Sequence, residues 1–586
     1  MPRRAAPPDP EAGPLEGFAA KLRDLRDRAG APSIQKISSV SGLPRSSVYA
    51  VLSGKRVPSE ETLAALVDAC GGDSAEWLAK RSVLLEALAN RSDEPTEVRS
   101  LTRTSLHTIL VVVRDHQSID PVLAAIDPIE TDPRVQILFT VDQQSPLRPR
   151  THERLSELDA LVLPWRQATT NQFDLILATH SSDSLKELHG PLLSLAWNDD
   201  HQLSNVAPQI VTADDLLHEQ MLASVNLRSR YRRALGVQPH QQLVLVSSGW
   251  GPHSLMGDRP DLPVHLLASL PTDQYKFALM LHPNIWNAYG KRQVERWLQS
   301  AVESGLLLVH PDDWRSTLIA SDVLIGDHGS VTNYASALGI PVINADEKSP
   351  LDVTNAVTEL RGPGVHKVVP DQGDRALRAL RAQMYELLGL TEPSCRTVLR
   401  ALEAPAHTEV KQPTSFRVLT LKTCDVDVQL ERYPLVPGIP GEQGFIVATE
   451  QERNLRVMNN AEMVVATKPS PYMEAESVAE ELLAMNPGAA LTAAASESWL
   501  VLRSERPSCS IKATAAVTET SKGFVPDPVL IAAAAYQWLQ QPQQGDHCDL
   551  QVQTGVHKFT IELKCTDLSP SDEGYTPDRH QRRSRP

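Results

Sequence analysis

From Leu15 to about Ala89 apolar residues recur at three- and four-residue spacing, broken at Gly30, Gly42, Gly54 and Gly71, which predicts a domain of short helices over residues 15–90. A polar stretch, Asn90 to Ser100, carries no apolar stripe and reads as a linker over 91–104. At His107 the pattern changes. HTILVVVRD is a β-branched run without alternation, as expected for a parallel strand covered on both faces. VQILFTV, LDALVLP, FDLILAT, PLLSLAW, QLVLVSS, KFALMLHP, GLLLVHP, DVLIGD and IPVIN repeat it, with helical or loop segments between, and together they predict an α/β region. The helical stretch Ala213 to Val237 divides these strands into two sets. The economical arrangement is a double Rossmann: two Rossmann-like halves, 105–237 and 238–405, about a cleft, the second closing with a helix around Asp374 to Gly389.

Beyond the proline-containing segment Glu403 to Pro413 the period drops to two. FRVLTLKTCDVDVQL alternates, LQVQTGVHKFTIELK reads as two strands about a Thr-Gly turn, and the helical stretches ESVAEELLAM and LIAAAAYQWL lie between them. This predicts a small α+β domain over 414–566, without a functional motif. Residues 1–14 and 567–586 are proline- and charge-rich and are expected to be disordered.

Composition narrows the function classes. A chain of 586 residues, 41% hydrophobic, needs several cores. A formal net charge of -15 excludes a protein that coats nucleic acid through a broad basic surface, so any DNA contact must be local. Cys70, Cys395, Cys424, Cys509, Cys548 and Cys565 show no C-x-x-C or Cys/His clustering, which signals neither a zinc site nor a disulfide framework, and no metal is expected. With no apolar signal region and no window long enough for a membrane span, a cytoplasmic protein is expected.

The charge is local indeed. Residues 33 to 58 contain Lys36, Arg45, Lys55 and Arg56 and no acidic residue. Ser33 and Ser59 stand where N-caps are needed, Gly42 where a turn needs positive φ, and Pro44 where a first helical turn tolerates proline. Val48 and Leu52 fall on one face of the middle helix, which leaves Arg45, Ser46, Ser47 and Tyr49 as donors toward base edges and phosphates. The run GLPRSSVYAVLSGKRVPSEETL resembles the lambda-repressor and Cro type of helix-turn-helix, the XRE family, over about 65 residues. The resemblance implies that the helix after the glycine turn enters the major groove. The acid-free basic face puts Lys55 and Arg56 on phosphates, with Lys36 a further DNA-binding candidate, and a homodimer is expected to read two half-sites of double-stranded DNA. Ser38 departs from the small apolar residue usual in that family.

In the second α/β half, SSGWGPHSLMG (Ser247 to Gly257) follows a strand and carries three glycines. Asp327, His328, Gly329 and Ser330 lead into a helix containing Thr332. Both loops suit backbone contacts to a phosphate or a nucleotide diphosphate, with Gly249, Gly251, Asp327, His328, Gly329, Ser330 and Thr332 as candidate ligand residues. Together with LMLHPNIW and HPDDWRSTLIASDVLIGDHGS, the region resembles the GT-B glycosyltransferase superfamily, and within it the CDP-glycerol glycerophosphotransferases. That resemblance implies a catalytic or phosphate-binding role for His282 and phosphate contacts from Asp327 to Ser330. The family's His-Gly motif of the first half is replaced here by Trp197 and Asn198, with His189-Gly190 upstream as a displaced version. Trp250, Trp286 and Trp314 read as core. The reading is a DNA-binding transcriptional regulator whose GT-B-like module binds a phosphorylated small molecule. The alternative is a transferase with an appended helix-turn-helix domain and His282 as its catalytic residue.

Overall fold

A computed structural model describes residues 14–54, 57–91, 107–115, 118–145, 148–178, 180, 182–195, 213–327, 329–345, 348–360, 374–393, 400–424, 426–439, 444–497, 499–506, 509–540 and 547–568. Most of both predicted disordered ends and of the predicted linker lie outside the described residues, but Pro14 begins a helix and Asp567 and Leu568 end a strand, which corrects those bounds. The chain divides into two units, Met1–Ala213 with Leu380–Ser394, and Asp214–Ala379 with Cys395–Pro586.

The first unit begins with helices α1 (Pro14–Arg28), α2 (Ile34–Ser41), α3 (Arg45–Leu52), α4 (Glu60–Ala69) and α5 (Ser74–Arg91). They close on a core that includes Leu22, Ile37, Val48, Leu52, Leu63 and Trp77. Ser33 accepts the Lys36 amide at the start of α2, and Ser59 accepts the Thr62 amide at the start of α4. Gly42 sits at φ 71°, where a Cβ would be strained, and turns α2 into α3. The departure at Ser38 is satisfied locally: its hydroxyl donates to the Leu43 carbonyl at 2.6 Å, inside the turn.

The same unit holds β1 (His107–Val113), α6 (Ile119–Glu130), β2 (Val135–Val141), α7 (Arg148–Glu157), α8 (Trp165–Ala168), β3 (Leu175–Ala178) and β4 (Leu192–Ser194). The four strands are parallel in the order β2-β1-β3-β4. The predicted strand LDALVLP does not form. Val162 makes only an isolated bridge to Phe139, and Pro164, which has no N–H to give a ladder, begins α8.

The second unit starts with α9 (Ala213–Ser224) and α10 (Arg228–Ala234). Strands β5 (Gln242–Ser248), β6 (Tyr275–Leu281), β7 (Leu307–Val309), β8 (Val323–Gly326) and β9 (Val342–Asn344) follow. Between them run α11 (Leu255–Asp258), α12 (Leu262–Ser269), α13 (Pro283–Tyr289), α14 (Lys291–Glu303), α15 (Trp314–Ala320) and α16 (Ser330–Ala337), with α17 (Pro350–Glu359) after β9. Helix α18 (Arg375–Leu387) is divided between the units, its residues from Leu380 onward belonging to the first. The parallel order β7-β6-β5-β8-β9 is Rossmann-like: the chain moves outward from β5 in one direction, then returns to β8 and moves outward in the other.

The remainder corrects the expected small α+β domain. Strands β10 (Ser415–Cys424), β11 (Asp427–Pro434), β12 (Phe445–Thr449), β13 (Met463–Ser470), β14 (Leu491–Ser496), β15 (Leu500–Arg506), β16 (Cys509–Thr520), β17 (His547–Thr554) and β18 (His557–Leu568) form one closed barrel, ordered β10-β11-β17-β18-β16-β15-β14-β13-β12. Helices α19 (Leu455–Asn460) and α20 (Tyr472–Met485) supply the crossovers that parallel β12, β13 and β14 require. Helix α21 (Pro528–Leu539) explains the closure. It is apolar apart from Tyr536 and Gln537 near its end, with Val529 to Ala535 buried, and it shares one core with residues of all nine strands.

Barrel and second sheet meet at a buried charge. Arg432 on β11 donates to both carboxylate oxygens of Asp273, at 2.6 and 3.0 Å, and to Asp527, the N-cap of α21, at 2.6 and 2.8 Å. Burial works against the guanidinium, but the two carboxylates outweigh it and raise its proton affinity. Thr554 on β17 donates to Asp273 as well, so the network joins the turn before β6, two barrel strands and the inner helix.

Candidate functional site

Three of the predicted DNA-contacting residues of the N-terminal domain are open to solvent. Lys36 on α2, and Arg45 and Tyr49 on α3, are exposed; Ser47 is half-buried; Ser46 belongs to α3. Lys55 and Arg56 lie outside the described residues. Val48, Val51 and Leu52 are buried against the other helices, so packing fixes which face of α3 is left to solvent. No acidic residue stands in the first turn of α2 or α3, so nothing there repels a phosphate.

In the second unit the two predicted ligand loops come together. They leave the carboxyl ends of β5 and β8, the adjacent strands at which the strand order reverses, where open α/β sheets place ligand sites. Asp327 accepts the amides of Gly249 at 2.8 Å and Leu255 at 2.9 Å on a single carboxylate oxygen. Its negative charge therefore already sits among the backbone donors that a phosphate would use, and it holds the glycine loop in shape. Gly257 is required by that shape, because a Cβ there would lie 2.4 Å from the Pro252 carbonyl. Gly329 is different: its φ of -161° suits any residue, and a Cβ would meet nothing closer than Asp327 at 3.9 Å. Gly329 and Ser330 are exposed at the start of α16, and Thr332 donates from its hydroxyl to the Asp327 carbonyl at 2.9 Å. Gly251 adopts φ 101°, and neighbouring Trp250 is half exposed rather than in the core, because this loop projects beyond the sheet. His328 lies outside the described residues.

His282 stands at the carboxyl end of β6, where its Nδ1 accepts the Asn284 amide at 3.2 Å and caps α13, with Pro283 at the first helical position. His310 and Pro311 repeat the device one strand over, capping a single 3₁₀ turn after β7. With its Nδ1 lone pair engaged, His282 carries its ring proton on Nε2, so the imidazole is set as a donor rather than a base.

A cluster that sequence reasoning missed lies at the carboxyl edge of the first sheet. Asp142, just past β2, is fully buried. It binds His180 Nε2 at 2.7 Å and accepts the hydroxyls of Ser182 at 2.7 Å and Ser184 at 2.6 Å. Burial opposes its ionisation, but hydrogen bonds from His180, Ser184, the Gln144 amide and Ser182 prevail and hold the carboxyl below its usual range. Both hydroxyls donate to the carboxylate and not to the imidazole, so this is a fixed anion and not a nucleophile with its base. The only signal was position, since each residue follows a buried strand. His189-Gly190 serves packing: the His189 carbonyl accepts the Phe173 amide, and a Cβ at Gly190 would sit 2.5 Å from the Phe173 carbonyl. Trp197 and Asn198 lie outside the described residues. Among the described residues no helix is long and apolar enough to cross a membrane.

Residues 18–78 match the family model described as a helix-turn-helix domain. A comparison with curated proteins finds no match. Among solved structures the chain is similar to the wall teichoic acid polymerase TagF with CDPG, at 11% identity over 54% of this chain and 95% of that one, TM-score 0.32. It is also similar to UDP-GlcNAc 2-epimerase from Neisseria meningitidis bound to UDP-GlcNAc, at 11% identity over 48% and 99%, TM-score 0.30. A third similarity is to MurG from Acinetobacter baumannii, at 10% identity over 48% and 99%, TM-score 0.30.

Proposed function

We propose that this chain is a DNA-binding transcriptional regulator in which the helix-turn-helix domain reads duplex DNA through α3 and the Rossmann-like region takes a phosphorylated small molecule that biases binding. The observation that carries the DNA reading is the solvent face of α3. It presents Arg45 and Tyr49 within a segment, residues 33 to 58, that has four basic and no acidic side chains in a chain of net charge -15. Arg45 and Tyr49 approach base edges, Lys36, Lys55 and Arg56 neutralise phosphates, and two copies engage two half-sites one helical turn apart.

The ligand reading is supported by the meeting of the two loops at the strand-order reversal, with the half-exposed Trp250 placed to stack on a base. A transferase acting on a nucleotide-activated donor would use the same loops. The regulator is preferred because Asp327 and His282 are both engaged in holding backbone, and a base needs a lone pair that the capped imidazole does not offer.

The test is selection of bound duplexes from a random library with the full chain, followed by fluorescence anisotropy on the selected sequence. Arg45→Ala should weaken the selected duplex while sparing random duplex. Failure of the full chain to enrich any sequence would overturn the assignment. Turnover of a nucleotide-activated donor that vanishes in His282→Ala would replace it with the transferase.

A further inference from the structure

Past the end of β7 the chain runs His310, Pro311, Asp312, Asp313, and the segment that leads to β10 lays His407 against this turn. One ring nitrogen of each histidine and one carboxylate oxygen of Asp312 lie within 4.8 Å of one another. The two rings sit 5.0 Å apart between centroids with their planes 34° apart. We propose that His310, Asp312 and His407 form a binding site for a divalent transition-metal ion of the zinc class, with Asp313 as the residue that positions His407.

The donor set selects the ion. Two imidazole nitrogens and one carboxylate oxygen suit zinc, cobalt(II) or nickel(II), whereas magnesium and calcium prefer oxygen alone. Zinc–nitrogen bonds of about 2.0 Å put tetrahedral ligand atoms roughly 3.3 Å apart. His310 Nδ1 lies 3.7 Å from an Asp312 oxygen, and to ligate it gives up its long 3.4 Å hydrogen bond from the Asp312 amide. Asp313 supplies what a metal-bound histidine normally has behind it. Its buried carboxylate lies 3.3 Å from His407 Nδ1, which leaves Nε2 to ligate, and it accepts the His407 amide at 2.9 Å. It also accepts the Ala406 amide at 3.3 Å and the Thr408 hydroxyl at 3.1 Å, while that hydroxyl receives the His310 amide at 3.4 Å. One turn thus fixes both imidazoles before any ion arrives. Three protein ligands leave one position for water or an anionic oxygen. The ion would pin the segment entering the barrel to the end of β7. The sequence held no such signal, because His407 is far along the chain from the His-x-Asp pair.

The test uses the full chain, stripped with a chelator and titrated with zinc by calorimetry and with cobalt(II) by visible absorption. The parent should bind one equivalent more zinc than His407→Ala or Asp312→Asn. Asp313→Asn should keep that stoichiometry and bind about 10- to 100-fold more weakly. Metal-free parent, His407→Ala and Asp312→Asn should melt together, and zinc should raise the Tm of the parent but not of these two variants. Absence of zinc and cobalt binding by the parent, or an equal zinc stoichiometry and equal zinc-induced Tm rise in His407→Ala and Asp312→Asn, would overturn the site.

Discussion

Asp327 holds the amide of Gly249 at 2.8 Å across 78 residues of sequence, so that the loop after β8 supplies the anion around which the loop after β5 is folded. This relationship makes the candidate ligand site self-occupied by charge, and it turns one side chain into the lever of the first prediction. In Asp327→Asn the amide oxygen still accepts but the charge is gone. The variant should lose about 1–2 kcal/mol of stability, yet bind pyrophosphate or a nucleoside diphosphate more tightly than the parent. Thermal shift with and without pyrophosphate reads both effects. Weaker binding in the variant would mean that Asp327 contacts the ligand through a cation instead of competing with its phosphate.

DNA binding should show its electrostatic origin in salt. Replacing Lys55 and Arg56 with alanine should weaken all duplexes alike and lower the slope of log affinity against log salt by about one unit for each phosphate that is no longer neutralised. Anisotropy titrations at several salt concentrations check this, and an unchanged slope would remove both residues from the interface.

The Arg432 network should be costly to break from one side. Arg432→Met strands Asp273 in the interior and should destabilise the second unit by about 3–5 kcal/mol. Removing the stranded carboxylate as well, in Arg432→Met with Asp273→Asn, should recover part of that loss. Denaturant unfolding of the two variants gives the comparison.

Lys276 on β6 gives a pH dependence with a definite sign. Burial pulls its ammonium from 10.5 down to about 8. The unfolded chain therefore holds more protons between those values, and stability should rise with pH across that window. Lys276→Met should flatten the rise and add up to ~3 kcal/mol near neutral pH. Unfolding curves on both sides of pH 8 test it, and a parent whose stability falls through this window would contradict the assignment.

The helical domain was legible because its determinants are local. Ser33, Gly42, Pro44 and Ser59 act within a turn of themselves, and the alternation of Val48 and Leu52 with Arg45 and Tyr49 states which face is buried. The parallel strands were legible for the same reason, except LDALVLP, where Pro164 cut short a run that its apolar content favoured. The meeting of the Gly249 and Asp327 loops followed from strand order. What Asp327 does there did not, since a carboxylate beside glycines can serve a ligand or the loop itself. The barrel was illegible because closure depends on β11 pairing with β17, from Asp427 with Gln551 to Leu430 with Thr554, and no local pattern announces a partner so distant. The histidine and carboxylate clusters around Asp142 and His407 are products of tertiary folding in the same way.

That β11–β17 pairing carries a consequence for how the protein is made. On the ribosome every strand from β10 to β16 emerges before the pair that closes the ring, and so does the largely apolar α21. Until β17 and β18 have left the exit tunnel, β11 and β16 are open edges beside an uncovered greasy helix. A chain stopped short of His547 is left permanently in that state, a template for aggregation rather than a smaller domain.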